Sequence, residues 1–133
     1  MNQKSEIRIF GRVIHGQHYG KKLGFPTANL DRREYVKQKK KIKFGVWAGI
    51  ARFKVQGLRF KVYLAGIVIG PKDKRGLPRI EAHLIGFKGN LYGKKLQLRL
   101  QKYLRPYKKF KDVGQLKKQI ARDINSIKRL KIK

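Results

Sequence analysis

Between Phe44 and Leu104 apolar residues return at every second position, and glycine, proline or asparagine interrupts the run each time it reaches the length of a short strand. A period of two sends alternate side chains to opposite faces of an extended chain, so this stretch reads as strands joined by turns. The clearest case is Lys94–Leu104 (KKLQLRLQKYL), where Leu96, Leu98 and Leu100 oppose Gln97, Arg99 and Gln101. Leu58–Gly70 alternates Leu58, Phe60, Val62 and Leu64 against polar neighbours. It follows a Gln56-Gly57 turn, which predicts a hairpin with the preceding strand, Phe44–Phe53. That preceding strand is apolar on both faces with Gly45 and Gly49 inside, as expected where it is packed on both sides or closely approached by another backbone. After the turn-rich loop Pro71–Pro78, Arg79–Phe87 places Ile80, Ala82 and Leu84 on one face and Glu81, His83 and Ile85 on the other.

The two ends complete the pattern. Glu6–Ile14 reads as a strand with a bulge or bend at Phe10-Gly11, and Asp31–Lys43, polar and without a period, as an exposed connection. From Asp112, an expected N-cap, the residues Val113, Leu116, Ile120, Ile124, Ile127 and Leu130 recur at spacings of three and four and predict one amphipathic helix. Five or six short strands followed by one helix predict a small closed barrel plugged or flanked by that helix. At 133 residues the chain is expected to be a single domain, 1–133, with no internal repeat.

Composition narrows the chemistry. With no cysteine the chain has neither disulfides nor thiolate metal ligands. The opening MNQKSEIRIF lacks an apolar signal region, and no apolar run is long enough to span a bilayer. The expectation is therefore a cytoplasmic protein without a membrane partner, and a monomer. Thirty-six Lys and Arg against seven Asp and Glu leave a formal charge of +29, densest at Lys37–Lys43 and in the last six residues. Such an excess predicts weak, non-specific affinity for polyanions and faster capture of anionic nucleotides, and is equally the mark of a general basic bias.

One irregular segment concentrates ligand-binding residue types. His15–Leu30 (HGQHYGKKLGFPTANL) sets Gly16, Gly20 and Gly24 four apart, adds Lys21 and Lys22, and ends in Pro-Thr-Ala-Asn. Such a run is often only a turn between strands. Its lysines can nevertheless face phosphate, and the oxygens of Thr27 and Asn29 suit a hard cation such as Mg2+. It is neither a Walker A loop nor a dinucleotide fingerprint, because Pro26 precedes the threonine and no helical pattern follows. Glu81 is the single carboxylate between Asp73 and Asp112. It is either an outward glutamate paired with a lysine or a carboxylate that orients a hydroxyl for attack on a phosphoryl group. His83 shares its face.

In combination, GRVIHGQHYGKKLGFPTANL, GVWAGIARF, IEAHLIGFKGNLYGKKLQLRLQKYLRPYKKF and LKKQIARDI resemble the riboflavin kinase family of bacteria and eukaryotes. The ordered set GFPTAN, EAHL, LYG and LRP is what makes the likeness specific. The resemblance implies a six-stranded closed antiparallel barrel of Greek-key type with a C-terminal helix. It also implies transfer of the ATP γ-phosphoryl to the ribityl 5′-hydroxyl of riboflavin, giving FMN. It carries Gly16, Lys21, Thr27, Asn29, Leu84 and Tyr92 into nucleotide contact, with Thr27 and Asn29 also as Mg2+ ligands. Glu81 becomes the catalytic carboxylate, and Arg105, Lys108 and Phe110 fall in the flap that holds the flavin. Two departures stand out: Val68-Ile69-Gly70 replaces the family's usual Asn-Ile-Gly, and Gly86–Asn90 replaces a commonly acidic stretch. Many bacterial relatives carry a fused N-terminal adenylyltransferase, for which 133 residues leave no room, so FMN is the expected product.

Two other readings compete. A basic β-barrel could bind RNA by stacking bases on Tyr103, Tyr107 and Phe110 between lysines, although Glu81 would be out of place in such a groove. A degenerate kinase could bind flavin without turnover. Trp47 is expected in the core.

Overall fold

The computed structural model describes residues 7–15, 27–38 and 41–130. Six strands close into an antiparallel barrel: β1 (Ile7–Ile14), β2 (Ala28–Leu30), β3 (Gly45–Lys54), β4 (Phe60–Lys72), β5 (Pro78–Leu84) and β6 (Lys95–Arg105). Around the barrel they run β1-β2-β5-β4-β3-β6, so β2 pairs with β5 rather than with its sequence neighbour β3. Among the described residues two helices accompany the barrel, the short α1 (Arg33–Gln38) and the C-terminal α2 (Val113–Arg129).

Strand parity decides what is inside. Ile9 and Val13 of β1, Ala65, Ile67 and Ile69 of β4, Ile80, Ala82 and Leu84 of β5, and Leu96, Leu98 and Leu100 of β6 fill the barrel. The intervening residues point outward. β3 is buried along nearly its whole length on both faces, with Ala51 and Phe53 in the barrel core and Val46, Ala48 and Ile50 buried at the opposite parity. Its glycines serve close approach. A Cβ on Gly49 would collide with the carbonyl oxygen of Arg99, and one on Gly45, at φ +144°, would meet the backbone of Arg105. Gly66 does the same for the helix, since a Cβ there would lie 3.3 Å from Ile127 Cδ1.

Two expectations need correction and two gain detail. β1 keeps an unbroken register with β6 from Ile7↔Leu100 to Arg12↔Lys95, without a bulge at Phe10-Gly11. Gly11 is small because a Cβ would come 2.8 Å from the Asp31 carbonyl oxygen. Asp31–Lys43 is not simply an exposed connection: it holds α1, and Tyr35 and Ile42 are buried against the barrel. The alternation at Leu58–Leu64 marks an outward face, since Phe60 and Val62 are about half exposed and Leu58 lies on the hairpin turn, 89% exposed. The core uses the opposite parity of β4. Trp47 packs against the barrel core, as expected, but stays half-buried, edge-on to Tyr103 with its Nε1 donating to the Lys43 carbonyl at 3.0 Å.

The helix begins where expected. Asp112 is extended and its side chain accepts from Gln115 N at 2.9 Å, capping α2. Of the apolar stripe only Ile127 is fully buried; Leu116, Ile120 and Ile124 are half-covered, which leaves them as a wall. A bidentate ion pair, Arg105 to Asp123 with Nη2 to Oδ2 at 2.8 Å, ties α2 to the end of β6. On the other side Arg32 pairs with Asp73, binding the exit of β2 to the β4–β5 loop. The guanidinium and two loop amides together hold the Asp73 carboxyl below its ordinary range.

Candidate active site

Register carries one row of outward-facing residues across the barrel. Asn29 of β2 pairs with Glu81 of β5, Glu81 with Val68 of β4, Val68 with Val46 of β3, and Val46 with Arg105 of β6. Between this row and α2 lies a cavity of about 660 Å³, of the size that holds a small-molecule ligand. Val46 and Val68 form its floor, and Leu116, Ile120 and Ile124 of α2 its opposite wall. The helical stripe, read from sequence as the apolar face of an amphipathic helix, is therefore mostly cavity wall. Its residues gave no signal that separates the two uses, because both need an apolar face.

Glu81 lines this cavity half-buried, between Asn29 and Val68 in register. Burial pushes its carboxyl above the ordinary value of 4.5, against the opposing pull of the nearby Arg79 cation. Val68, where the family usually has asparagine, is its register partner, so the departure noted in the sequence helps keep the carboxylate's surroundings apolar. His83, two residues along on the same face, also lines the cavity.

A second cavity, about 470 Å³, opens on the other side of β2 and shares Thr27 and Asn29 with the first. Leu84 and Tyr92 line it, as do Lys88, Gly89 and Asn90. The Asn90 side chain accepts from Tyr92 N at 2.8 Å, and the Tyr92 ring stacks on His15 with centroids 3.8 Å apart. This second departure from the family pattern thus places a lysine in the cavity wall and leaves Phe87 to close the barrel end against Phe53 and Tyr63.

The residues singled out from sequence fall into these two spaces. Thr27, Asn29, Glu81, Arg105, Lys108 and Phe110 line the larger, and Thr27, Asn29, Leu84 and Tyr92 the smaller. Gly16 and Lys21 lie outside the described residues. The guanidinium of Arg105 is taken up by Asp123, a residue the sequence reading missed, and Gln119 donates to the same carboxylate at 3.0 Å. Of the three aromatics expected to stack on bases, Tyr103 is half-buried with its hydroxyl donating to the Phe44 carbonyl, and Phe110 lines the cavity.

Among the described residues no three of His, Cys, Asp and Glu converge on a metal position. Thr27 and Asn29 supply neutral hard oxygens beside one carboxylate. That donor set fits Mg2+, which commonly takes one or two protein oxygens and completes its shell with phosphates and water.

The family model described as "Flavokinase: Riboflavin kinase" matches residues 3–131. The bifunctional riboflavin kinase/FMN adenylyltransferase of Escherichia coli K12 is 36% identical over 117 residues, 86% of this chain and 35% of that protein. The RNA-binding riboflavin kinase RibR of Bacillus subtilis is 30% identical over 120 residues, 90% of this chain and 49% of that one. Among solved structures, a Streptococcus pneumoniae protein described as a macrolide-efflux protein superposes with a TM-score of 0.79 at 25% identity, over 94% of this chain and 39% of that one. Riboflavin kinase from Trypanosoma brucei superposes with a TM-score of 0.69 at 20% identity, over 96% and 80%, and shares the barrel and its C-terminal helix. The chain spans about a third of the length of the bifunctional relatives it matches. With a family match over nearly its whole length, the chain belongs to the riboflavin kinase family.

Proposed function

We propose that this chain transfers the γ-phosphoryl group of ATP to the 5′-hydroxyl of riboflavin, giving FMN and ADP. The observation that carries the reading is the pair of cavities that share Thr27 and Asn29, with Glu81 beside Asn29 facing the larger one. An isoalloxazine ring suits the larger cavity, between the valines of the sheet and the isoleucines of α2, with Phe110 at its edge. The nucleotide suits the smaller, where Lys88 offers a cation for phosphate. The ribityl chain then ends where the two spaces meet.

Phosphoryl transfer asks mainly for alignment and for neutralisation of charge on the phosphate oxygens. The riboflavin hydroxyl oxygen bonds to the γ-phosphorus as the bond to the β–γ bridging oxygen breaks, and ADP leaves with that oxygen. Glu81 holds the hydroxyl and takes its proton late. Burial raises the carboxylate's affinity for that proton and so makes it a better base than an exposed glutamate. Thr27 and Asn29 would hold Mg2+ where the cavities meet, and the ion when bound supplies positive charge to the β- and γ-phosphates. The test is direct: purified protein with riboflavin and MgATP or MgCTP, chromatographed for FMN, with flavin fluorescence reporting binding. Thr27→Ala and Asn29→Ala should each weaken Mg-nucleotide binding with the fold intact, since neither side chain fills the core. Flavin binding without FMN under every nucleotide would point to a degenerate kinase, and an unchanged Mg2+ dependence in both variants would count against the ligand assignment.

A further inference from the structure

The strands β1, β6, β3 and β4 contain no Asp or Glu, and the outward face they share away from α2 is aromatic and basic. Register lays it out in rows. Arg8 pairs with Arg99; in the next row Phe10 pairs with Gln97, Gln97 with Arg52 and Arg52 with Val62; then Arg12 pairs with Lys95, and Lys54 with Phe60. Two aromatic rings stand at the two sides of this face, each with a cation against it. The Arg52 guanidinium lies 3.9 Å from the centroid of Phe60, and Lys95 Nζ 5.9 Å from that of Phe10. Phe60 and Val62 are about half exposed, an unusual use of large apolar side chains on an outer strand face. None of the residues in these rows lines either cavity of the site above.

This outer surface of the barrel has one well-matched partner. Cations without carboxylates attract a polyanion and repel a basic protein surface, but they do not distinguish single from double strands. Rings at the outer surface do, here Phe60, about half exposed, and Phe10, partly covered, because a duplex keeps its bases stacked inside while a single strand presents each base's π-face. Strand spacing of about 4.8 Å sets Phe10 and β4 on the order of 15 Å apart along the curved barrel surface, room for a few nucleotides between the rings. We propose that the outer face of β1, β6, β3 and β4 binds single-stranded nucleic acid, stacking bases on Phe60 and Phe10 and holding phosphates with Arg12, Arg52, Lys54 and Lys95. This surface differs from the cluster of Tyr103, Tyr107 and Phe110, and it leaves the catalytic cavities free.

The test uses the whole chain and a fluorescein-labelled 12-nucleotide oligouridylate, with a hairpin duplex of equal charge as comparison, read by anisotropy. The single strand should bind at least about tenfold tighter than the duplex at moderate salt, and saturating FMN with MgADP should not displace it. Phe60→Leu keeps the apolar bulk and removes the π-face, so it should weaken single-strand binding by roughly 5–100-fold while barely changing duplex binding. Lys117→Ala/Lys118→Ala on α2, removing the same kind of charge elsewhere, should preserve the single-strand preference. Equal affinity for both probes with Phe60→Leu unchanged would reduce the surface to non-specific charge and overturn the proposal. Displacement by FMN and MgADP would overturn it too, by placing the strand in the cleft. Circular dichroism of Phe60→Leu guards against misfolding, and Phe10→Leu gives an independent variant with the same expected loss of preference.

Discussion

A half-buried glutamate stripped of part of its water is a cost to the fold at neutral pH, and that cost separates the two readings of Glu81. Its folded pKa is raised above the ordinary 4.5 by burial, so the native state holds the proton more tightly than the unfolded chain does. Stability is therefore undiminished below about pH 4, falls as pH rises past the ordinary value, and reaches its full loss above the raised folded value. Glu81→Gln removes the ionisation and should melt at a higher temperature than the parent at pH 8, the gap closing as pH falls toward 4. The same substitution should lower FMN formation by roughly 10²–10⁴ while riboflavin binding changes far less. A surface glutamate paired with a lysine would give the reverse, a variant no more stable and fully active. A parent rate of FMN formation in Glu81→Gln would remove the catalytic assignment even if the chain is a riboflavin kinase. At this scale the sequence was informative for Glu81 because alternation with Ile80 and Ala82 already placed it outward, and because carboxylates are rare in this chain. It was misleading for Gly11, where a small residue serves a bulge and a close carbonyl contact equally well.

The element that most shapes the site is α2, and its position depends on one ion pair. Arg105 lines the larger cavity, yet its guanidinium makes three contacts with Asp123, so its effect on ligand can pass through the helix. Both side chains are mostly buried, at 21% and 13% exposure. Removing one partner strands the other, a loss on the order of 2–3 kcal/mol. If Arg105 works by anchoring α2, Asp123→Asn and Arg105→Ala should raise the KM for riboflavin to similar extents and add little to each other in the double variant. If Arg105 instead binds flavin directly, Arg105→Ala should raise KM well beyond Asp123→Asn. A double-mutant cycle on KM, with melting temperatures alongside, decides between them. This pairing was not legible beforehand, since it joins the end of a strand to the middle of a helix and neither residue breaks its local pattern. What was legible was the helix itself, from the Asp112 cap and the spacing of its isoleucines, and every strand with a period of two. The short α1 escaped because six residues carry barely two turns of periodicity, and its one buried side chain, Tyr35, fits a loop equally well.

For the molecule as a whole, the charge of +29 sets how stability answers to salt. With 36 basic side chains and seven acidic ones, most cations have no opposite charge to face, and the compact state brings them closer than the unfolded chain does. Ion pairs run the other way. Arg32–Asp73 and Arg105–Asp123 are weakened by salt, but they are few and largely shielded from solvent, so repulsion dominates. The screening length falls from about 30 Å at 0.01 M to about 10 Å at 0.1 M, which takes it from the scale of the whole barrel to that of neighbouring side chains. Raising KCl from 0.01 to 0.3 M should therefore stabilise the fold by about 1 kcal/mol, a rise in Tm of roughly 3–6 °C for a chain of this size. A thermal melt series at fixed pH measures it. Sodium perchlorate and potassium chloride at equal low ionic strength separate screening from anion binding, because screening alone gives equal shifts. A Tm that falls as KCl is added would mean that the few ion pairs outweigh the surplus of cations, and that the basic surface is arranged to hold itself together rather than to attract a polyanion.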